Sequence, residues 1–143
     1  MIEIQIVHSD NASLMDRVEE EVFDGPIRAE WLEAFLARPD HALVVAIENG
    51  SVVGMATGLT YWHPDKPLSL FINEVGVAPA WQGQGIGKRL ISRILEWGKA
   101  QGCAEAWVAT EASNSAAQGL YRSCGGVPDE ECAVVFIYPL GAD

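Results

Sequence analysis

The stretch from Phe71 to Gly102 carries the residues best suited to chemistry, and it contains glycines at alternate positions, Gly83, Gly85 and Gly87. Glycine has no Cβ and tolerates positive φ, so its backbone can approach a ligand closely. The apolar spacing that follows predicts a helix directly after this loop. A helix N-terminus adds unpaired N–H donors and a partial positive charge. These features together predict a site for a phosphate or diphosphate group.

Two common nucleotide-binding motifs fail at specific residues of this loop. A dinucleotide fingerprint needs G-x-G-x-x-G, and counted from Gly83 the third glycine is replaced by Lys88. A P-loop needs G-x-x-x-x-G-K-[ST], but Gln82 stands at its first glycine and Arg89 at its last position. The pattern that remains is Q-x-x-G-x-G, preceded by V-x-V. A glycine-rich turn that only reverses the chain would look the same locally.

A second motif lies downstream, where Asn114 to Gly125 reads N-x-x-A-x-x-L-Y-x-x-x-G. The two motifs, in this order and separated by a predicted helix and strand, resemble those of the GNAT superfamily of N-acetyltransferases. One departure is Gly126, which stands where that superfamily commonly has an aromatic residue. A narrower resemblance, to aminoglycoside 3-N-acetyltransferases, rests on Glu74 within FINEVGV, on Glu111, and on the run ATEASNSAAQGLYRSCGG followed by Asp129-Glu130-Glu131 and VVFIYPL.

The resemblance implies an α/β fold with a mixed sheet, mostly antiparallel, in which one parallel strand pair splays apart between flanking helices. We expect residues 1–143 to form one such domain, with acetyl-CoA as the cofactor. Its pantetheine arm would lie along the splayed strand, and its pyrophosphate on the glycine loop. The residues expected to hold it are Val75, Gly76, Val77, Gln82, Gly83, Gln84, Gly85, Ile86, Gly87, Lys88, Asn114, Ala117 and Tyr121.

Acetyl transfer to an amine needs a base for the ammonium, an acid for the leaving thiolate and a donor for the carbonyl oxygen. Glu74 is the candidate base, since a carboxylate can attract and deprotonate an ammonium; an exposed strand position or a structural ion pair would also explain it. Tyr121 is the candidate acid by resemblance, although an aromatic side chain also packs naturally on an apolar helix face. The Val75 N–H would hold the carbonyl oxygen. Asn114 would bond the pantetheine arm or cap its own helix.

Composition limits the class of protein. The chain has 143 residues, of which 49% are hydrophobic, which suits one compact domain. No apolar run approaches the ~20 residues that span a bilayer, and MIEIQIVHSD is unlike a signal peptide. The three cysteines are an odd number without C-x-x-C spacing, so we expect reduced thiols in a cytoplasmic protein and no metal site.

The net charge of −11 argues against a nucleic-acid partner, whose phosphates require a basic surface. The same charge fits a cationic small substrate drawn to an acidic cleft, or serves only solubility. Glu74, Glu111, Glu130 and Glu131, with the neighbouring Asp129, are the candidates to receive amines of a polycation. The last four of these are equally well explained as solvated loop charges.

Periodicity predicts the order of the elements. Alternation at Ile2, Ile4 and Ile6 predicts a strand. Two helices follow, the first over Leu14 to Phe23 and the second around Trp31 to Leu36. Strands are predicted at 41–48, 51–61 and 68–77, the first two joined by an Asn49-Gly50 hairpin. After the glycine loop come a helix ending near Gly102, a strand at 104–110, a helix at 114–124 and a last strand at 133–138.

The function predicted is acetyl transfer from acetyl-CoA to a primary amine of a small polycation, with an aminoglycoside of the antibiotic-resistance type as leading acceptor. The acceptor could instead be a protein N-terminus, an amino acid or a polyamine. A non-catalytic acyl-CoA-binding module is the alternative of another class. Members of the superfamily often dimerise, so a homodimer is possible.

Overall fold

A computed structural model describes residues 1–141 of the chain, and these residues contain five strands in one sheet. The strands are β1 (Glu3–Ile6), β2 (His41–Glu48), β3 (Ser51–Tyr61), β4 (Ser69–Val77) and β5 (Glu105–Val108), which neighbour one another in that order. Strands β1 to β4 pair antiparallel, and β5 pairs parallel with β4. The mixed sheet predicted from the sequence is confirmed.

Helices cover both faces of this sheet. Helix α1 (Ala29–Leu36) and a 3₁₀ segment (Ser9–Asp16) pack on one face, while α2 (Ile86–Ala100) and α3 (Ser115–Ser123) pack on the other. Successive side chains of β2 alternate between the two, so that Val44 meets α2 and Val45 meets the α1 side. Burial on both faces explains why β2 reads as a continuous apolar run. None of the helices within residues 1–141 has the length and apolar character to cross a membrane.

Local turn chemistry was predicted correctly. Asn49 and Gly50 have φ of 51° and 76°, the pair of positive values that a type I′ hairpin turn requires. At the end of α2, Gly102 has φ of 95°, as expected for a glycine that terminates a helix.

Strand β4 carries a bulge at the point where it leaves β5. The register of β3 against β4 shifts so that Gly58 pairs with Ile72 and Thr57 with Glu74, leaving Asn73 as the extra residue. The parallel ladder with β5 ends at the same place, with Ile72 opposite Val108. A bulge bends its strand and increases the twist, so β4 diverges from β5 over its last residues. This divergence is the splayed pair that the resemblance implied.

The predicted helix over Leu14 to Phe23 is wrong. The chain forms only the 3₁₀ segment and then runs beside β3, where the Val52 N–H donates to the Arg17 carbonyl at 2.8 Å and the Glu19 N–H donates to the Val52 carbonyl at 2.9 Å. These bonds satisfy backbone groups that a helix would have paired internally. The apolar spacing is real, but it reflects contact with β3 rather than a helical face.

The predicted strand at residues 133–138 is also absent. These residues are exposed and have no regular secondary structure. A strand needs a neighbour to pair its backbone groups, and within residues 1–141 no strand pairs with this segment. The strand predicted at 104–110 is shorter than expected, since β5 covers only Glu105–Val108.

Candidate active site

The glycine loop has the conformation of an anion cradle. Gly83 and Gly85 have φ of 79° and 80°, and a Cβ built at either position would have no atom within 4 Å. Gly85 is the N-cap of α2, where the first turn holds no acidic side chain and no side chain caps the N–H groups. The exposed Lys88 adds a positive charge at the same end. The loop therefore offers open space, free N–H donors and positive potential, as a diphosphate requires.

Three other residues of the loop make contacts that stabilise the fold. The Gln82 side chain donates to the Val77 carbonyl at 2.9 Å and so fixes the loop to the end of β4. Ile86 is buried in the core below α2. A Cβ on Gly87 would lie 3.1 Å from a methyl group of Leu120, so this glycine allows α2 to pack closely on α3. Of the predicted cofactor-binding residues, Ile86 and Gly87 thus have packing roles that explain their identity.

The diverging end of β4 presents backbone donors to the gap. The Ala78 N–H donates to the Val53 carbonyl of β3 at 2.9 Å, whereas the Val77 carbonyl is turned away from β3, towards Gln82. Because backbone groups in an antiparallel strand alternate in direction, the N–H groups of Val75 and Val77 also face away from β3. They face the side of β4 on which the resemblance would place a pantetheine arm.

Gly76 lets the chain before α1 lie against β4. A Cβ at Gly76 would stand 2.3 Å from the Val22 carbonyl oxygen, a distance that no side chain tolerates. Close packing of the Val22 backbone on β4 therefore requires a glycine at position 76, which was also predicted to contact the cofactor. The contact holds the segment after Val22 over the end of β4, where that segment forms one wall of a cleft.

Glu74 faces this cleft from the bulge. The cleft has a volume of about 340 Å³, and its wall includes Glu74, Asn73 and Thr57 of the sheet, with Asp24 from the segment before α1. Burial, and secondarily the negative charge of Asp24, raises the pKa of the Glu74 carboxyl above its usual value. A carboxylate with a raised pKa is a stronger base, which suits proton removal from an ammonium.

The rest of the cleft is mostly apolar and comes from the α1 side of the sheet. Trp31 and Phe35 are among the apolar residues that line it. The Arg28 guanidinium also reaches the cleft; it pairs with Glu30 at 2.7 Å and lies 4.3 Å from the Trp31 ring centre. A ring-shaped or aliphatic acceptor body fits such a wall, with its charge directed to Glu74.

Sequence reasoning missed Thr57. Its side chain is more than nine-tenths buried, it lines the cleft directly opposite Glu74 in the strand register, and its Oγ1 has no hydrogen-bond partner among the described residues. A buried hydroxyl without a partner is costly. Nothing in the sequence distinguishes this threonine from others in a buried strand, because its position opposite Glu74 depends on the β3–β4 register.

A second, more acidic cleft adjoins the first and was also missed. Its volume is about 520 Å³, and it shares the wall from Phe23 to Ile27 with the Glu74 cleft. Five acidic residues line it: Asp16, Glu19, Glu20, Glu21 and Asp24. The first four of these belong to the segment that was predicted as a helix, which hid the fact that the five carboxylates meet at one cleft. Their combined charge favours a cation beside Glu74.

Tyr121 lies across the sheet from Glu74, on the α2 and α3 side. It is half-buried, and burial raises the pKa of its phenol. The hydroxyl therefore stays protonated near neutral pH and is able to donate. On the same helix, the Asn114 Oδ1 accepts from the Ala117 N–H at 3.0 Å, so the helix-capping role of Asn114 is present and the Ala117 N–H is already used.

The remaining acidic candidates lie outside both clefts. Glu111, Glu130 and Glu131 are exposed, and none of the three lines either cleft. The structure thus gathers its carboxylates around Asp24 rather than at the positions expected from the C-terminal motif. Gly126, the departure from the GNAT pattern, has no room for an aromatic side chain, since a Cβ there would lie 2.9 Å from the Tyr121 carbonyl oxygen.

Comparison with known proteins agrees with this geometry. The model of the Acetyltransferase (GNAT) family matches residues 9–126. The chain belongs to the GNAT acetyltransferase family. Among curated GNAT relatives, N-alpha-acetyltransferase RimI of Mycobacterium tuberculosis is 34% identical over 90 residues, which cover 63% of this chain and 54% of RimI. An L-2,4-diaminobutyric acid acetyltransferase of Virgibacillus pantothenticus is 32% identical over 104 residues, covering 73% and 62% of the two chains.

The GNAT fold is equally clear from solved structures. AAC(6')-Iy in complex with the bisubstrate analogue CoA-S-monomethyl-acetylneamine superposes with a TM-score of 0.79 at 19% identity, covering 97% of this chain and 99% of that one. The chain spans between half and two thirds of the length of the two curated relatives described above.

Proposed function

We propose that this chain transfers the acetyl group of acetyl-CoA to a primary amine of a small polycation, with an aminoglycoside as the leading acceptor. The observation that carries the proposal is Glu74: a half-buried carboxylate of raised pKa stands at a strand bulge, between the β4–β5 gap and a cleft with an acidic neighbour. The gap suits an acyl donor, and the cleft suits an amine.

The residues present fit acetyl-CoA. The open N–H groups around Gly83 and Gly85, with Lys88, would hold the pyrophosphate, and the N–H groups of Val75 and Val77 would pair with the pantetheine arm. When bound, the thioester supplies an acetyl group activated for transfer. The Val75 N–H would stabilise negative charge on the carbonyl oxygen, where a backbone donor acts without reorganisation.

Glu74 and Tyr121 would each transfer a proton during the reaction. Glu74 takes one from the acceptor ammonium, directly or through a water, so that the free amine attacks the carbonyl carbon. A C–N bond forms as the C–S bond breaks, and the new amide nitrogen and Glu74 each release one proton to solvent. Tyr121 supplies the second proton to the departing sulfur, and solvent restores the phenol. Glu74 and Tyr121 lie on opposite faces of the sheet. This placement suits Glu74 to the amine acceptor and Tyr121 to the leaving thiolate.

Charge supports a polyamine such as an aminoglycoside. Asp24 and the glutamates beside it can each receive an ammonium while Glu74 accepts a proton from the reacting one. Arg28, which lines the same cleft, favours a second candidate, a small diamino acid whose carboxylate would meet the guanidinium. The curated relative that acts on L-2,4-diaminobutyric acid makes this candidate specific.

Product analysis separates these acceptors. The enzyme would be given an aminoglycoside, 2,4-diaminobutyrate, spermidine and a short peptide at equal concentration, and the acetylated nitrogen located by NMR. We expect the aminoglycoside to react fastest, at its 3-amine. Acetylation at the 6′ position instead would contradict the 3-N assignment. A preference for diaminobutyrate that is lost in Arg28→Gln would make the diamino acid, rather than the aminoglycoside, the acceptor.

Replacement of Tyr121 by phenylalanine tests the acid. We expect Tyr121→Phe to lower kcat by about 10²-fold, the lower end of the effect of a general acid. CoA affinity should be kept, because the ring still fills its half-buried site. Rapid-mixing kinetics and CoA titration provide the measurement. Unchanged kcat in a variant that binds CoA normally would remove Tyr121 from the mechanism.

Replacement of Thr57 by valine tests the cleft. Valine keeps the shape and removes a hydroxyl that has no partner among the described residues, so thermal stability should stay equal or rise. We expect the Thr57 hydroxyl to form a hydrogen bond with the amine substrate. Its loss should therefore raise the KM for the amine by about two- to tenfold. Thr57→Ser should restore the KM. A lower Tm with unchanged KM would show that the hydroxyl serves the fold alone.

A further inference from the structure

Three aromatic side chains lie side by side on the face of the sheet that also holds Glu74. Phe71 of β4 stands opposite Trp107 of β5, and the centres of their rings are 4.4 Å apart. Tyr61 of β3 reaches across β4, so that its hydroxyl accepts a hydrogen bond from the Trp107 Nε1–H at 2.5 Å. We call Tyr61, Phe71 and Trp107 the aromatic platform.

The aromatic platform is open to solvent, yet its rings are held in place. Trp107 keeps 46% of its surface exposed, and Tyr61 and Phe71 are half-buried. None of the three belongs to either buried core cluster of the described residues. The contacts of the rings with one another, and of His63 edge-on against Tyr61 at 5.0 Å, fix their positions. An exposed apolar surface that is ordered in this way is typical of a binding site.

The aromatic platform continues the wall of the Glu74 cleft. Thr57 pairs with Glu74 in the β3–β4 register, and two residues further along β3 Leu59 pairs with Phe71. Residues two apart in a strand share a face, so these two pairs are neighbours on the same face of the sheet. The exposed Asn73 lies between Phe71 and Glu74 and lines the cleft. A ligand that fills the cleft can therefore extend directly onto the platform.

A carboxylate stands at the far end of the aromatic platform. Glu105 is exposed, shares the face of Trp107 two residues along β5, and forms no ion pair within residues 1–141. The register places Glu105 level with Tyr61 and Glu74 level with Thr57. These levels are four residues, or about 13 Å, apart along the sheet. With one strand spacing added, the backbone positions of the two glutamates are separated by about 14 Å.

We propose that the aromatic platform binds a second ring of the acceptor, so that the acceptor is an amino sugar of two or more rings rather than a single-ring or linear amine. This inference rests on the proposed function. The ring with the reacting amine lies at Glu74, the next ring stacks its apolar face on Phe71 and Trp107, and a distant ammonium meets Glu105. A linear amine or a diamino acid has no ring to stack there.

The polar groups of the aromatic platform suit such a ring. A tryptophan face attracts an ammonium group, and an amino sugar carries one beside its apolar C–H face. The Tyr61 hydroxyl accepts from Trp107, and its own proton has no acceptor among the described residues. This proton is therefore free to be donated to a hydroxyl of the sugar.

Calorimetric titration tests the aromatic platform without relying on turnover. The ligands are 2-deoxystreptamine, a single aminocyclitol ring, and kanamycin, in which amino sugar rings are attached to that ring. Each is titrated in the presence of CoA, which carries no acetyl group to transfer. We expect Trp107→Ala to weaken kanamycin binding by about tenfold, since a charged ring loses the aromatic face beneath it, and to leave 2-deoxystreptamine binding nearly unchanged.

Trp62→Ala is the matched control. Trp62 is 76% exposed, but it makes no ring contact within residues 1–141, so this variant should bind both ligands as the wild-type chain does. An equal loss of both affinities in Trp107→Ala, an unchanged kanamycin affinity, or no kanamycin binding by the wild-type chain would overturn the proposal.

A second measurement uses the folded wild-type chain. The indole N–H signal of Trp107 in NMR spectra, assigned by its loss in Trp107→Phe, should shift when kanamycin is added and should stay in place with 2-deoxystreptamine. Trp107→Phe keeps a ring against Phe71 and should retain most of the kanamycin affinity. A Trp107 signal that does not respond to bound kanamycin would place the second ring elsewhere and overturn the proposal.

The outcomes separate the aromatic platform from acetyl transfer. Binding of kanamycin that depends on Trp107, without release of CoA thiol from acetyl-CoA, would support the platform and contradict the proposed function. Acetylation of kanamycin with the same KM in Trp107→Ala and wild type would support the proposed function and overturn the platform.

Discussion

Replacement of Glu74 by glutamine should lower kcat by about 10²–10⁴-fold, the effect typical of a lost general base. Glutamine has the same shape but cannot accept a proton, so CoA affinity should remain close to wild type. Stopped-flow kinetics and CoA titration separate the two quantities. Glu111→Gln is the matched control, because it removes an exposed carboxylate that lines neither cleft and should leave kcat unchanged.

The pH dependence of kcat/KM gives a second test of Glu74 as the base. The base acts as a carboxylate, so kcat/KM should fall as the pH drops through the pKa of Glu74. Because burial and Asp24 raise that pKa, the acid limb should lie above the range of an ordinary glutamate, and Asp24→Asn should move it to lower pH. Equal kcat in Glu74→Gln and wild type would exclude Glu74 as the base, whereas an acid limb unaffected by Asp24→Asn would show that burial alone raises its pKa.

Replacement of Gly85 by valine should weaken CoA binding by about tenfold or more. Gly85 has φ of 80°, where an L-residue costs about 1–2 kcal/mol, and a β-branched side chain would stand in the open space of the loop. Relaxation to negative φ would turn the N–H groups of the cradle away from the ligand. Isothermal titration with CoA gives the affinity directly.

Gly102→Val is the control for backbone strain. Gly102 also has a positive φ, 95°, with no atom within 4 Å of a built Cβ, but it lies at the opposite end of α2. Both variants should lose similar stability, and only Gly85→Val should lose CoA affinity. Undiminished affinity in a folded Gly85→Val protein, or an equal loss in Gly102→Val, would contradict the assignment of the loop.

Features that depend on neighbouring residues in the chain were predictable from the sequence. The glycine loop, its helix, the Asn49-Gly50 hairpin and the end of α2 at Gly102 follow from local conformational preferences. The two motifs, read together, indicated the family, which the match over residues 9–126 confirms. The position of Glu74 within a strand was visible, but not the bulge at Asn73 that turns it towards a cleft.

Features that depend on contacts between distant segments were not predictable. Residues 14–23 have apolar spacing that fits a helix, yet the Val18–Val52 bridge draws them alongside β3. Only that path brings the acidic residues around Asp24 to Glu74, and only the β3–β4 register places Thr57 opposite. The segment at residues 133–138 shows the converse case: VVFIY has the composition of a strand, but within residues 1–141 it pairs with no other strand.

The most direct test of the account is release of CoA thiol from acetyl-CoA in the presence of amines. Wild-type protein should release thiol at a rate that saturates with an aminoglycoside, with acetyl found on the amine by mass spectrometry, and Glu74→Gln should release it far more slowly. Tight CoA binding with no thiol release for any aminoglycoside, diamino acid, polyamine or peptide would contradict the account and identify the chain as an acyl-CoA-binding module without transferase activity.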